Sequence, residues 1–184
     1  MSSPRSILPA PELLSARLRL RATVLDDAEA LSAIFASEEA LQHGGRAPLA
    51  DVPRVREKLA RDVEEARRGE AVLWSVTERG SAWAVGYVGL HHWVQKDRCA
   101  EVGYALAPPY WGRGYMRELM PLLVRFAFSE MRLHRLEAQL DPGNLASARL
   151  VERAGFRLEG VLRDKVASPR GGFADLAVYA LLEG

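Results

Sequence analysis

The sequence predicts an α/β domain built on a mixed, mainly antiparallel twisted sheet with flanking helices. Two observations carry this. Residues 71–77, 83–93 and 100–107 are strand-like runs separated by short turns, Arg79-Gly80-Ser81 and Gln95-Lys96-Asp97-Arg98, and such short connections favour an antiparallel meander. Further along, the pattern changes to helix, strand, helix, strand, strand, which layers helices on a mixed sheet.

Taken in order, Arg17-Leu18-Arg19-Leu20-Arg21 alternates polar and apolar residues and predicts a first strand. Asp26 or Asp27 is placed to cap a helix with Ala30, Leu31, Ile34 and Phe35 on one face. Residues 51–68 predict a second helix, with Val52, Val55, Leu59 and Val63 at helical spacing among charges of mixed sign that read as a solvated face. The three strands follow, with Trp74, Trp83 and Tyr87 read as core. From Arg117 to Arg132 an amphipathic helix turns Leu119, Met120, Leu123, Phe126, Ala127 and Met131 inward. Pro121 interrupts it. A proline there removes a hydrogen bond, so a kink or an irregular first turn is expected. One more strand (His134 to Leu140) leads to a helix beginning at Asn144.

Composition narrows the options. A chain of 184 residues, 48% apolar and 27% charged, suits one globular domain with a substantial core. Residues 1–15, with three prolines and no continuous apolar run, read as a flexible arm rather than a signal peptide. Residues 16–184 form the single domain. A net charge of +1 gives no bulk electrostatic drive toward nucleic acid or an anionic membrane. No apolar run reaches the ~18 residues of a membrane span. The single cysteine, Cys99, excludes an internal disulfide and fits a reducing, cytoplasmic setting. The oligomeric state is not legible.

The segment 108–116, Pro-Pro-Tyr-Trp-Gly-Arg-Gly-Tyr-Met, lies between a strand and a helix. A glycine turn there presents backbone N–H groups at the positive end of the helix dipole, a site for a phosphate or pyrophosphate. No Lys-Ser or Lys-Thr follows, which excludes a Walker A loop. Position 117 is Arg, which excludes the dinucleotide fingerprint.

The residues Trp111-Gly112-Arg113-Gly114-Tyr115-Met116 resemble the pyrophosphate loop of the GNAT superfamily of acyl-CoA-dependent N-acyltransferases, Arg/Gln-x-x-Gly-x-Gly/Ala. Asn144-x-x-Ser147 followed by Glu152-x-x-Gly155-Phe156 resembles its last shared motif. The closing run, Leu162-Arg163-Asp164 through Gly172-Phe173-x-Asp175 to Tyr179-x-Leu181-Leu182, is similar to the branch of ribosomal-protein-alanine N-acetyltransferases. Trp111 and Met116 depart from the general pattern. Cofactor binding requires that Met116 turn its side chain into the core.

The resemblance implies a GNAT-like sheet in which the strand before the glycine loop and the strand after the long helix splay apart to take the pantetheine arm. It implies acetyl-CoA as cosubstrate. Gly112, Arg113, Gly114, Tyr115 and Met116 would meet the pyrophosphate, the main chain of Tyr104 and Leu106 would meet pantetheine, and Asn144 would stand beside the gap. It implies Glu101 as general base through water and Ser147 as proton donor to the leaving sulfur. Each has a structural alternative: Glu101 as a strand carboxylate paired across the sheet, and Asn144 with Ser147 as a helix cap. Asp175 and Tyr179 match the closing pattern, and Tyr179 reads as structural.

Cys99 reads as a small strand residue, since no His–Cys arrangement is visible. His91 and His92 are adjacent on a strand and would face opposite sides, so no metal site is expected. His43, His92 and Trp93 are candidates for the acceptor side. The leading reaction is acetyl transfer to a primary amine by direct attack in a ternary complex, with a protein N-terminal α-amine on a ribosomal-protein-like acceptor as what the resemblance implies. A small amine (polyamine, amino acid or antibiotic) is one alternative, and a non-catalytic acyl-CoA-binding module is another.

Overall fold

The computed structural model describes residues 9–43, 45–169 and 171–184. Eight strands form one sheet in the order β1-β2-β3-β4-β5-β6-β8-β7. They are β1 (Leu13–Leu14), β2 (Leu18–Ala22), β3 (Val72–Glu78), β4 (Ala84–Val94), β5 (Cys99–Leu106), β6 (Arg135–Leu140), β7 (Arg157–Ala167) and β8 (Phe173–Leu182). Neighbours are antiparallel except β5 and β6, which run parallel. The helices are α1 (Ala28–Phe35), α2 (Glu38–Leu41), α3 (Val52–Arg67), α4 (Tyr115–Ser129) and α5 (Leu145–Arg153). The mixed, mainly antiparallel architecture is therefore the one the sequence predicts. Among the described residues, no helix is long and apolar enough to cross a membrane.

Strand alternation sends apolar residues to both faces, and two cores result. On one face α4 and α5 cover Trp74, Val88, Leu90 and Val102, with Leu119, Leu123 and Phe126 interdigitating. The Trp74 and Phe126 rings meet edge-to-face at 5.1 Å. On the other face α1 and α3 bury Leu31, Ile34, Phe35, Val55 and Leu59 over Leu73 and Tyr87. Of the predicted α3 stripe, Val55 and Leu59 are fully buried, whereas Val52 at the first turn is exposed. Asp51 caps α3 by accepting from Arg54 N at 2.9 Å.

Four local expectations change. Trp83 is not core: it sits in the turn before β4 with 52% of its surface exposed. Asp27 does not cap α1 with its side chain. It accepts instead from Val24 N (3.0 Å), from both arms of the Arg21 guanidinium (2.9 and 2.5 Å) and from Ser75 Oγ (2.7 Å). α4 runs unbroken through Pro121. The ring lies on the exposed face, where water can take the carbonyl left without a helical partner. The described part of the N-terminal arm is attached, because Leu13–Leu14 pairs with β2 and Pro11 O accepts from Trp74 Nε1 at 2.7 Å. Residues 1–8 lie outside the described residues.

Candidate active site

After β5 the chain makes a short turn at Pro108–Tyr110 and enters α4 through residues 111–114. Gly112 and Gly114 have φ of +70° and +74°, a region costly for residues with a Cβ. A Cβ on Gly112 would meet nothing within 4 Å, so this glycine serves the backbone and leaves space in front of it. Within α4 the first amide to find a partner is Glu118 N, on Gly114 O at 3.1 Å. The N–H groups of Tyr115, Met116 and Arg117 precede it at the positive end of the dipole.

Side chains brace this loop from outside. Trp111 Nε1 donates to Leu106 O at 2.7 Å. Arg17 donates to Arg113 O (3.0 Å) and to the Glu118 carboxylate (2.7 Å), with its guanidinium 4.9 Å from the Tyr115 ring centroid. Sequence reasoning missed Arg17, because nothing local links it to a loop almost a hundred residues away. Arg113 lies over the Tyr110 ring at 5.1 Å. Met116 is half-buried and packs against the α4–α5 core. Replacing Gly114 by Val should raise the acetyl-CoA KM or Kd by about tenfold or more, since about 1–2 kcal/mol of left-handed strain would be relieved by deforming the nest. Calorimetric titration with CoA would measure this, and unchanged affinity would remove the loop from the site.

The next element is a gap in the sheet. β5 and β6 pair only at Cys99–Glu101 with Arg135–Glu137, and no pairing follows. Ala107 N donates to Val85 O at 3.0 Å. In the antiparallel ladder of β4 and β5 this fixes the alternation. The N–H and C=O groups of Val102, Tyr104 and Leu106 therefore point away from β4, into the gap. Leu106 O is taken by Trp111, which leaves Leu106 N and both main-chain groups of Tyr104 for an extended ligand. At the far side Asn144 caps α5 by accepting from Ser147 N at 3.0 Å, with Ser147 half-buried. The Tyr104 ring packs on the α4–α5 core. Burial pushes its hydroxyl pKa up while nearby Ser147 pulls the other way, yet its buried oxygen has no hydrogen-bond partner.

Glu101 lies where β5 and β6 part, on the face covered by α1 and α3. Burial pushes its carboxyl above the usual range. His92 pulls it back and Glu137, its register partner on β6, pushes it up again. Its Oε2 is 3.2 Å from His92 Nδ1. A register shift between His91 and Val94, with His92 at φ +50°, brings this ring to Glu101. Strict alternation would have sent His92 to the opposite face. The same shift turns Trp93 onto the α4–α5 core, which corrects its placement on the acceptor side.

His91 is the register partner of Glu101. Its ring lies over Gly89 and Gly103, and a Cβ on Gly89 would collide with it. Burial lowers its pKa to about 4, so the imidazole is neutral at pH 7. The sequence signal was the small residues at 89 and 103, which gain meaning only once β4 and β5 are in register. His43 is exposed and its Nδ1 sits 2.7 Å from Asp141 Oδ2, tying the loop after α2 to the turn before α5. Among the described residues no group of three or more His, Cys, Asp or Glu is placed to hold a metal. Cys99 is half-buried at the parallel junction, its thiol pKa raised by burial. Tyr179 is buried in the α4–α5 core, and Asp175 accepts from Asp164 N at 3.0 Å to hold a bulge in β7.

A sheet opened between two parallel strands, with a glycine nest at the head of the next helix, is the arrangement expected of an acyl-CoA-dependent acyltransferase domain. Residues 17–157 match the acetyltransferase (GNAT) domain family. The chain belongs to that family and is an acetyl-CoA-dependent N-acetyltransferase. It is 30% identical over 173 residues to the uncharacterized N-acetyltransferase YoaA of Bacillus subtilis, spanning 94% of this chain and 97% of that one. A shorter stretch of 63 residues, 34% of this chain and 32% of the other, is 32% identical to the [ribosomal protein uS5]-alanine N-acetyltransferase of Escherichia coli. In fold the chain is similar to Mycobacterium smegmatis RimJ in complex with CoA-disulfide, with a TM-score of 0.85 at 22% identity over 95% of this chain and 88% of that one.

Proposed function

We propose that this acetyltransferase modifies the α-amine of a protein N-terminus, by direct attack within a ternary complex. One observation carries the preference for a singly charged amine over a polyamine. Four carboxylates around the acceptor face already have partners: Glu101 has His92, Asp141 has His43, Glu137 has Arg135 at 2.5 Å, and Asp62 has Lys58 and the Tyr87 hydroxyl. Lys58, half-buried and seated 4.3 Å from the Phe35 ring centroid, adds a positive charge where a polycation would need a negative one. The stretch shared with the uS5-alanine enzyme points the same way.

The cosubstrate supplies an acetyl group activated as a thioester. The free amides of residues 115–117 and the turn at Gly112–Gly114 bind its pyrophosphate, and Tyr104 and Leu106 hold the pantetheine strand-fashion. Glu101, reached through water, takes the proton of the attacking amine, for which a raised carboxyl pKa suits it. Main-chain N–H groups facing the gap stabilise the oxyanion as it develops. The Ser147 hydroxyl donates a hydrogen bond to the departing sulfur. His43, with Asp141, holds the acceptor-side loop against the turn of Asn144.

The test is free-thiol release from acetyl-CoA with a mixed panel of N-terminal peptides, amino acids and polyamines, followed by mass spectrometry. An acetylated peptide α-amine is the expected product. An acetylated polyamine or free amino acid would replace the acceptor class. CoA binding with no release on any acceptor would count against the peptide α-amine and leave either an acceptor outside the panel or a binding module.

A further inference from the structure

Tyr104 carries a buried hydroxyl that the structure leaves without a partner. Buried polar groups are nearly always paired, and an exception calls for an explanation in ligand, water or chemistry. Its position is informative. Tyr104 lies on the stretch of β5 that β6 has abandoned, so its main chain faces the gap while its ring packs on the α4–α5 core. Ala148, the neighbour of Ser147, packs on the same core as the ring. The Ser147 hydroxyl stands beside Tyr104 Oη without completing a hydrogen bond.

We infer that Tyr104 is a positioning residue for Ser147: its hydroxyl donates to Ser147 Oγ when the gap is filled, which forces the single serine proton toward the leaving sulfur. This rests on the reading of Ser147 as the donor. The chemistry follows from proton counting. A serine hydroxyl has one proton and two lone pairs. Asn144 Oδ1 already accepts from Ser147 N and competes for that proton. A second donor on Ser147 Oγ fixes the rotor, so the serine O–H points into the gap. Burial keeps the Tyr104 phenol protonated throughout the neutral range, so it acts as a donor and gives up no proton itself. When the carbon–sulfur bond breaks, its electron pair stays on sulfur, stabilised by the Ser147 O–H. The thiolate takes its proton from water on release.

The experiment compares Tyr104→Phe, Ser147→Ala and the double variant by three readouts. The first is kcat with acetyl-CoA and with an acetyl thioester of a more acidic thiol. The second is the thiol pKa of bound CoA, followed by thiolate absorbance. The third is thermal unfolding of the free protein. Each single variant should lose about tenfold in kcat on acetyl-CoA, the effect of one lost hydrogen bond to a developing charge, with little change in its KM, and recover on the more acidic thiol. The bound thiol pKa should rise by about one unit in each, as expected for loss of one hydrogen bond to a charged group. The double variant should be no worse than Ser147→Ala. Tyr104→Phe removes a desolvated, unpaired hydroxyl and should not lower the melting temperature. Normal turnover and thiol pKa in Ser147→Ala would overturn the donor reading and this inference with it. A slow Ser147→Ala beside a normal Tyr104→Phe would overturn the inference alone. Additive losses in the double variant would also overturn it, since Tyr104 would then act independently of Ser147.

Discussion

Glu101→Gln is expected to lower kcat by about 10²- to 10⁴-fold at neutral pH, the range for a lost general base, with acetyl-CoA affinity retained. The side chain is 20% exposed, close enough to water for a bridging molecule and buried enough to raise its pKa. The sign of the pH dependence follows. A base works when ionised, so activity falls as pH drops through a pKa above the ordinary carboxylate value of about 4.3. That acid limb should vanish in the glutamine variant. Stability should move the other way. A raised folded-state pKa means the native protein binds more protons than the unfolded chain, so ionised Glu101 weakens the fold as pH rises. Glutamine should therefore leave the melting temperature unchanged or higher. Pre-steady-state turnover across pH, beside a thermal melt, measures both. A Gln variant with wild-type turnover and the same acid limb would reduce Glu101 to a strand carboxylate paired with His92.

The second large effect concerns the fold. Asp27→Ala should destabilise the protein by about 3 kcal/mol, at the low end for removing one member of a buried ion pair because Arg21 keeps some contact with water. For a chain of this size that corresponds to a drop of about 6–12 °C in Tm. Asp27 is 5% exposed and joins β2, β3 and the turn into α1 through Arg21, Ser75 and Val24 N. Burial alone would raise its pKa, but the hydrogen bonds from Arg21, Val24 and Ser75 outweigh it and hold it below the usual value. Its contribution is thus present above the unfolded value of about 3.9 and is lost as pH falls through the lower folded value. Chemical denaturation of wild type and variant between pH 3 and 7 should show the gap narrowing at acid pH. A constant gap would mean the loss is one of packing and not of charge. Asp27→Asn should fall between the two, since its side-chain oxygen can still take Val24 N.

Much of the site was legible because it depends on backbone chemistry at fixed spacing. The glycine turn at 112–114, the helix after it and the Asn144 cap are local motifs, and local motifs survive without knowledge of partners. The opening between β5 and β6 was foreseen only through family resemblance, since no feature of 99–106 or 135–140 states where pairing stops. His91 was weighed only as a metal ligand and set aside, because its place beside Glu101 needs the register of β4 on β5. Trp93 was named with His92 for the acceptor side, whereas the shift at His91–Val94 turns its ring onto the α4–α5 core. Trp83 was counted as core from its type, whereas a turn position left it in water.

Sequence alone determined the order of the main elements, the apolar faces of α1, α3 and α4, and the glycine turn before α4, because hydrophobic period, capping residues and glycines act within a few residues. The tertiary structure alone decided which side chains meet across the sheet: Arg17 behind the glycine turn, His91 and His92 about Glu101, Asp27 across two strands, and Tyr104 beside Ser147. Those meetings follow from register, from a bulge and from the end of a parallel ladder. Each is set by the packing of both sheet faces at once, which no short stretch of chain contains.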